Sequence, residues 1–395
     1  MQFQIPDPKS LKPKPVVVPT KQVMAGFTAS SARSGDYAWV EECGFHTFDE
    51  GLSFYSRLEA FNEFVLHCGL TASSVDRMLV CISKTETHIY VNNELPMIAM
   101  IRSKRSMNAG EGITRDDVAG VSKLEFPNVQ PPAGSGFLLL VSADWRRGIC
   151  FDFTALNCKT QDDSADAFDR IKHMGGMVLA HLWFAEKFLL SEEDWQRVLD
   201  AGWFPFISLP DKSWQSLITS IRNAWDLSAD EQKIHETWLE TCDTRLQSWK
   251  NNKHFANHIP FLESAVQHYK EQDWLAVVSI ALPRVEGLMR MAFGIWGTEK
   301  EVIEGLAQKV SEQEHCRSLL FPDRLTQYFA KVFFRFIPFN QSDPPNTRQT
   351  LAHGVVPASK LTRKEALTLL LLIDHILYCM PIDPDQIPPS PISQH

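Results

Sequence analysis

The stretch LTRKEALTLLLLIDHILYC, residues 361–379, decides how the last third of the chain folds. It begins with Thr362 and Glu365 in the spacing of a capping box, in which each side chain accepts a backbone N–H that a helix start leaves free. The residues that follow are apolar on two faces of a helix, a pattern typical of a helix that is buried on most sides. We therefore predict a central helix over 361–379, surrounded by other helices.

Helical patterning continues upstream of this stretch, back to about Ser164, with polar breaks between the segments. The predicted helices cover 165–190, 191–202, 214–225, 228–250, 255–269, 274–293, 300–311 and 319–336. Only residues 270–273 connect the two helices that begin at 255 and 274. Because the connection is short, we expect these two helices to pack as an antiparallel hairpin.

Strand signals lie nearer the N-terminus. Short apolar or alternating runs separated by polar turns predict strands over 78–83, 88–91, 97–101, 136–142 and 148–154, together with a helix over 50–67. No glycine-rich phosphate loop follows any of these runs, which disfavours a dinucleotide site. The predicted fold class is an α+β N-terminal region followed by a mainly α-helical region that ends in a helical bundle.

Composition and patterning divide the chain into five predicted segments. They are a Pro-rich extended arm over 1–20, an α+β domain over 21–160, a helical connecting region over 161–253, a helical bundle domain over 254–383 and a Pro-rich flexible tail over 384–395. Proline fixes φ and lacks a backbone donor, so the arm should be extended. The α+β domain is a candidate sensor or regulatory domain.

The bulk composition narrows the class of protein. A net charge of -9 and a pI near 5.8 disfavour broad coating of nucleic acid, because such binding depends on Lys and Arg that neutralise phosphates. No apolar run is long enough to span a bilayer, and the first residues lack the pattern of a signal peptide. The eight cysteines are scattered, which predicts free thiols in a reducing cytoplasm and no zinc site. We expect a cytoplasmic protein without membrane, metal or cofactor.

The segment PPNTRQTLAHG, residues 344–354, precedes the central helix and carries Arg348 and His353. Its prolines end the preceding segment, Asn346 or Thr347 can cap a short helix, and the final glycine can end it. Five residues at roughly 100° each place Arg348 and His353 about 140° apart around that helix. One copy therefore presents the pair poorly to a single phosphate, whereas a two-fold dimer can bring two copies to one groove.

The two side chains suit cleavage of RNA without a metal ion. A neutral histidine near pH 7 can take the proton of a 2′-hydroxyl, and the histidine of a second copy can protonate the leaving 5′-oxygen. The forked, permanently charged guanidinium of Arg348 suits the charge that develops on the phosphorane. This chemistry requires Arg348 and His353 to face RNA.

The run Arg348-Gln349-Thr350-Leu351-Ala352-His353-Gly354 resembles the signature of the HEPN family (higher eukaryotes and prokaryotes nucleotide-binding). In that signature an arginine and a polar residue are followed by three variable residues and a histidine. The resemblance extends over 255–380 and implies a helical bundle in which Arg348 and His353 are catalytic at a dimer interface. Gln349 replaces the family's usual asparagine, aspartate or histidine. We expect Gln349 and Glu286, an acid on a preceding helix, to support the pair.

The resemblance implies a metal-independent endoribonuclease that acts on RNA as a homodimer. Such domains occur in toxins and antiviral defence effectors, and the N-terminal region would then regulate cleavage. The alternative is a non-catalytic HEPN-like module that dimerises or binds a nucleotide or RNA. An antitoxin or a trigger protein is a candidate further partner.

Two weaker features have ordinary interpretations that we favour. His254 and His258 have the spacing of metal ligands but lack the glutamate of an H-E-x-x-H site, which favours a solvated helix start. Arg102, Lys104 and Arg105 form a compact basic patch. Such patches are typical of solvated surface, with RNA contact as the alternative.

Overall fold

The structure of the protein is a computed structural model. It describes residues 10–20, 27–29, 33–35, 37, 40–42, 44–48, 61–62, 64–157, 162–188, 190–312, 322–333, 347, 350 and 356–380. These residues form two compact units. The first, the sheet unit, contains the described residues within Met1–Ile101 and Val121–Trp183. The second, the helical unit, contains those within Arg102–Gly120 and Phe184–Ile387.

An antiparallel sheet forms the centre of the sheet unit. The strands described along the chain are β1 (Val16–Pro19), β2 (Phe27–Ala29), β3 (Val40–Glu42), β4 (Gly44–Phe48), β5 (Arg77–Ile82), β6 (Glu86–Val91), β7 (Ile98–Ser103), β8 (Val118–Glu125), β9 (Gly136–Ala143) and β10 (Arg146–Asp152). Six of them form one antiparallel sheet in the order β1-β6-β5-β9-β10-β4. In addition, β2 pairs with β3 and β7 pairs with β8.

The six-stranded sheet buries a separate apolar core on each face. Because successive side chains of a strand point to opposite faces, Leu79 lies in one core, whereas Met78 and Val80 lie in the other. Helix α1 (Asp162–Trp183) covers the first core, and the helical residues near Phe61 cover the second. Burial on both faces explains why the central strands are continuous apolar runs.

Gly176 brings α1 unusually close to the backbone of β8. A Cβ atom added at Gly176 would lie 2.8 Å from the Cα atom of Lys123 and 2.9 Å from the carbonyl oxygen of Ser122. At Gly175 an added Cβ atom would meet only side-chain atoms, the nearest being a methyl group of Leu139 at 2.6 Å. Because backbone cannot move aside as the end of a side chain can, position 176 requires glycine.

The strands predicted near 78, 88, 97, 136 and 148 are confirmed as β5, β6, β7, β9 and β10. Strand β8 was not predicted. The arm was expected to be extended, and its described part is: β1 pairs with β6 at the edge of the sheet, and the side-chain amide of Asn128 donates to the Leu11 carbonyl at 2.8 Å. Strands β9 and β10 are joined by a two-residue turn in which Asp144 has a φ of 55°.

The helical unit consists of short and long helices in succession. They are α2 (Ala185–Phe188), α3 (Glu192–Asp200), α4 (Asp211–Arg222), α5 (Ser228–Lys250), α6 (Ile259–Lys270), α7 (Trp274–Phe293), α8 (Glu299–Glu312), α9 (Pro322–Tyr328), a π-helix (Phe329–Phe333) and α10 (Arg363–Cys379). Helices α6 and α7, which flank the short connection 271–273, pack against each other, as the sequence predicted. Helix α1, which we had placed in the connecting region, packs on the sheet instead.

Helix α10 lies at the centre of the helical unit. Every residue from Leu369 to Cys379 is buried, and α10 packs along α7. The predicted capping box is present: Thr362 accepts from the Lys364 N–H, and its own N–H donates to the Glu365 carboxylate at 3.2 Å. The prediction of a central helix is therefore confirmed.

The chain thus has an N-terminal antiparallel sheet region and a mostly helical remainder. This agrees with the predicted order of an α+β region followed by a mainly helical region. Whether the helices form a HEPN-like bundle remains a prediction. Among the helices that the structure describes, none combines the length and the apolar character needed to cross a bilayer.

Candidate functional site

The predicted catalytic residues Arg348 and His353, and the supporting residue Gln349, lie outside the described residues. Two residues of the same motif are described. Thr347 directly precedes Arg348 in the chain, and Thr350 lies between Arg348 and His353. Both threonines are buried, with 2% and 3% of their surface exposed.

Thr347 and Thr350 hold each other through backbone and side-chain hydrogen bonds. The Thr347 N–H donates to the Thr350 Oγ1 atom at 2.9 Å, and the Thr350 N–H donates to the Thr347 Oγ1 atom at 3.3 Å. This reciprocal pattern is that of a capping box, with a threonine in place of the usual Glu or Gln. It assigns Thr347 as the capping residue, in agreement with the helix start that the sequence predicted there.

A cavity of about 90 Å³ adjoins Thr347. Its apolar wall comes from Leu282 of α7, Phe333 of the π-helix and Leu369 of α10. π-Helical turns are rare and are frequently found at functional sites, because they shift side chains out of the regular helical register. Three helices and the motif segment therefore converge on one small concave site.

The polar residues that line this cavity are Tyr328, Thr347, Lys364, Glu365 and Thr368. Burial, and after it the charge of Glu365, raises the pKa of Tyr328, so its hydroxyl stays protonated and able to donate. The Oε2 atom of Glu365 caps Thr362, and the Lys364 ammonium pairs with Glu231 at 3.1 Å. The Thr368 hydroxyl donates to the Lys364 carbonyl at 3.0 Å. An acidic and a basic side chain therefore both line the cavity.

Glu286, the predicted supporting acid, lies on α7 and is buried. Arg290, one turn later, donates from Nε to the Glu286 Oε1 atom at 2.8 Å. Next to Glu286, Gly287 makes room for the ring of His258, whose Cε1 atom would lie 3.0 Å from an added Cβ atom. The expected role of Glu286 in orienting Arg348 or His353 remains a prediction.

His258 corrects our expectation of a solvated helix start. It is buried at the end of a 3-10 helix (Lys253–His258), with its Nε2 atom 3.3 Å from the sulfur of Met291. Burial, assisted by the charge of Arg284, lowers the pKa of His258. Within the described part of the chain, no three His, Cys, Asp or Glu side chains are grouped closely enough to hold a metal ion.

Sequence reasoning missed a network of buried polar groups around Asp374 of α10. Asp374 accepts hydrogen bonds from the guanidinium of Arg245 and, at 3.0 Å, from the indole N–H of Trp249, both on α5. Arg245 also donates to the Ser208 carbonyl at 3.3 Å. An Asp-His pair inside a leucine-rich helix was the available signal, since a buried acid requires a partner.

The next residue, His375, is also inside the core. Its Nδ1 atom accepts the Ile207 N–H at 3.2 Å, and the rings of Phe204 and Phe206 meet it edge-on. Burial and the nearby charge of Lys187 lower the pKa of His375 to about 3. His375 is therefore neutral in the folded protein and acts as a hydrogen-bond acceptor.

The basic patch predicted at residues 102–105 is not a free surface. The Arg102 guanidinium donates to the carbonyl of Tyr378 at 2.5 Å and to that of Leu377 at 3.3 Å, at the C-terminal end of α10. Helix ends leave such carbonyls without intrahelical partners, so a cation is favourable there. Arg105 pairs with Asp117 at 2.6 Å. These cations hold the segment 102–120 in place.

Lys104, the third residue of this patch, is partly buried. Burial, and after it the charge of Lys187, lowers the pKa of Lys104 to about 7. Lys187 itself is buried and donates to the Leu209 carbonyl at 3.0 Å. The Lys104 ammonium is therefore only partly charged near neutral pH, unlike a lysine that binds phosphate at the surface.

No family model matches the chain, and neither a curated protein nor a solved structure gives a match. The functional argument therefore depends on the motif and on the geometry around Thr347.

Proposed function

We propose that the protein is a metal-independent endoribonuclease that acts as a homodimer, with Arg348 and His353 as its catalytic residues. The observation that carries this proposal is the reciprocal capping of Thr347 and Thr350 beside a cavity. It supports a helix start immediately before Arg348, where the motif needs one. Glu286 and Gln349 are positioning residues in this proposal.

The reaction would proceed by attack of the 2′-oxygen on the adjacent phosphorus. His353 of one protomer takes the 2′-hydroxyl proton, the bond from phosphorus to the 5′-oxygen breaks, and His353 of the other protomer protonates that oxygen. Arg348 stabilises the charge on the phosphorane. The products are then a 2′,3′-cyclic phosphate and a 5′-hydroxyl.

The decisive experiment is RNA cleavage by the purified full chain in the presence of a chelator. We expect cyclic-phosphate products from the wild type, and a rate lower by about 10²–10⁴-fold after His353→Ala or Arg348→Ala. An RNA with a 2′-deoxy sugar at the cleavage site should not be cut. Unchanged cleavage by the doubly substituted chain would contradict the proposal.

Mixed dimers test whether the active site is shared between protomers. The proposed reaction uses the His353 side chains of both protomers, one as base and one as acid. A dimer of one wild-type chain and one His353→Ala chain should therefore lose most of its cleavage. A confirmed mixed dimer that keeps half of the wild-type rate would exclude the shared site.

The biological role proposed for this activity is that of a toxin or phage-defence effector regulated by the N-terminal region. Expression of the wild type should then slow growth, and the doubly substituted chain should not. RNA binding without cleavage by the wild type would instead favour the alternative, a non-catalytic binding module.

A further inference from the structure

Met291 of α7 is 47% exposed, and its sulfur contacts the buried side chain of His258. We propose that Met291 is a modification site that hydrogen peroxide converts predominantly to one epimer of methionine sulfoxide, because His258 holds the sulfur from the protein side. The site is independent of the proposed ribonuclease function.

Exposure distinguishes Met291 from the other methionines that the structure describes, which are buried or partly buried. Met289, on the same helix, has 0% of its surface exposed. Peroxide oxidises a methionine where it can reach the sulfur. A low concentration of peroxide should therefore oxidise Met291 before Met289.

The ring of His258 is fixed where it meets the sulfur. His258 is 5% exposed, and its Nε2 atom lies 3.3 Å from the Sδ atom of Met291. Gly287, one turn before Met291, leaves room for this ring, since a Cβ atom added there would lie 3.0 Å from the His258 Cε1 atom. The histidine therefore approaches the sulfur from inside the fold, while solvent lies on the other side of Met291.

The surroundings of His258 indicate which ring nitrogen carries the proton. Burial, and after it the charge of Arg284, lowers the pKa of His258, so the ring is neutral near pH 7 and has one N–H. Its Nδ1 atom has no hydrogen-bond partner within the described part of the chain. A proton on Nδ1 would be a buried donor without an acceptor, whereas a proton on Nε2 faces the weakly accepting sulfur. The proton is therefore assigned to Nε2.

This hydrogen bond decides which side of the sulfur is oxidised. A thioether sulfur has two lone pairs, and the His258 N–H occupies one of them. The other lone pair attacks an oxygen of hydrogen peroxide and the O–O bond breaks. The hydroxide that leaves takes up the proton of the transferred oxygen and becomes water. Sulfur is oxidised by two electrons and the peroxide is reduced by two. Because the two lone pairs lead to opposite configurations at sulfur, one epimer predominates.

The product should be tolerated by the fold. A sulfoxide inside a core disrupts packing, because it is polar. The oxygen added to Met291 lies on the solvent side and displaces no buried group. We therefore expect the unfolding midpoint of the oxidised chain to stay close to that of the reduced chain, and a reductase specific for this epimer to reverse the modification.

Limited oxidation of the full chain by hydrogen peroxide, followed by peptide mass spectrometry, tests the site. Trypsin separates Met289 from Met291, because it cleaves after Arg290. In the folded chain we expect the Met291 peptide to gain one oxygen atom roughly tenfold faster than the Met289 peptide. The control is the same reaction in denaturant, where the two should react at equal rates. Equal rates in the folded chain would overturn the site.

Two methionine sulfoxide reductases, each specific for one epimer, measure the configuration of the product. After digestion of the oxidised chain, one enzyme should reduce most of the Met291 sulfoxide and the other little of it. Sulfoxide formed in denaturant should be a nearly equal mixture. A nearly equal mixture from the folded chain would overturn the selection of one epimer by His258.

Substitutions at position 258 test the positioning role of the histidine. His258→Phe keeps a ring without an N–H, so Met291 should still be oxidised but to both epimers. His258→Gln supplies an amide N–H and should keep part of the selectivity. The matched control is His254→Phe, at the other histidine of the same 3-10 helix, which should leave the epimer ratio unchanged. Full selectivity in His258→Phe would contradict the role of His258.

Nitrogen NMR of the His258 ring gives a test that requires no substitution at this position. We expect the proton on Nε2 and none on Nδ1 near neutral pH. A proton on Nδ1 would leave no donor to the sulfur and would overturn the proposed selection, even if His258→Phe fails to fold.

Discussion

The buried carboxylates Asp152 of the sheet unit and Asp374 of the helical unit have cationic partners that differ in exposure. Asp152 is the last residue of β10, and the side chain of Arg170, which pairs with it at 2.7 Å, is 49% exposed. The side chain of Arg245, the partner of Asp374, is only 17% exposed. The cation of the first pair therefore has water beside it, whereas the cation of the second has much less.

This difference teaches where electrostatics matters for stability. An ion pair near water contributes little, because water can solvate either partner once the other is gone. A pair within a core is costly to break, because the remaining charge is left without a partner. The following predictions test this contrast, beginning with the largest effect.

Loss of Asp374 should be the most damaging change. Asp374→Ala leaves Arg245 and the indole N–H of Trp249 without their acceptor, and we expect the free energy of unfolding to fall by about 3–5 kcal/mol. Denaturant unfolding of the full chain measures this. The matched control is the double variant Arg245→Met with Asp374→Leu, which removes both charges and should recover most of the stability. A loss below about 1 kcal/mol for the single variant would contradict the contrast.

In the sheet unit the largest loss should be steric. Gly176→Ala places a Cβ atom against the backbone of Lys123, which cannot move aside as a flexible side chain can. We expect a loss of about 3 kcal/mol, at the upper end for overpacking, and no dependence on pH. The control is Gly112→Ala, since a Cβ atom there meets nothing within 4 Å. Equal effects of the two variants would show that the close approach of α1 is not limiting.

Mild acid should weaken the helical unit through His375. Its folded pKa of about 3 lies below the ordinary value of 6.5, so the unfolded chain takes up a proton first as the pH falls. The contribution of His375 to stability is therefore present above pH 6.5 and is lost as the pH falls towards 3, by at most about 1.4 kcal/mol per unit.

Unfolding midpoints between pH 6.5 and 4.5 measure this loss. His375→Asn should reduce the slope, because an amide oxygen can accept the Ile207 N–H without titrating. Part of the slope should remain, since burial also lowers the pKa values of His235, His254 and His258. An unchanged slope in the His375→Asn variant would show that His375 is not a source of the acid sensitivity.

The smallest effect should come from Arg170→Met in the sheet unit. Asp152 keeps its hydrogen bond from the Thr154 N–H at 2.9 Å, and water can replace the exposed guanidinium. We expect a loss of at most about 1 kcal/mol. If this loss equals that of Asp374→Ala, the position of a charge relative to solvent does not explain the difference between the units.

Secondary structure could be predicted from the sequence where it depends on residues that are close together in the chain. The capping box at Thr362 and Glu365, the apolar strands and Thr347, one of the two candidate capping residues, all follow from neighbouring residues. The buried network could not be found in this way, because Asp374 meets Arg245, which lies 129 positions away. Strand β8 was not predicted because Gly120 and Lys123 interrupt its apolar pattern. The cavity needed the structure, since α7, the π-helix and α10 supply its walls.

The path of the chain through the two units has a practical consequence for dissecting the protein. Residues 102–120 belong to the helical unit, although they lie between strands of the sheet unit in sequence. A gene fragment that starts at Phe184 would omit Arg102, which caps the last turn of α10, and Asp116, whose carboxylate accepts the Asp211 N–H at 3.1 Å. The helical unit is thus not encoded by one continuous stretch of the sequence. A working fragment would need residues 102–120 supplied as a separate peptide or grafted on by circular permutation.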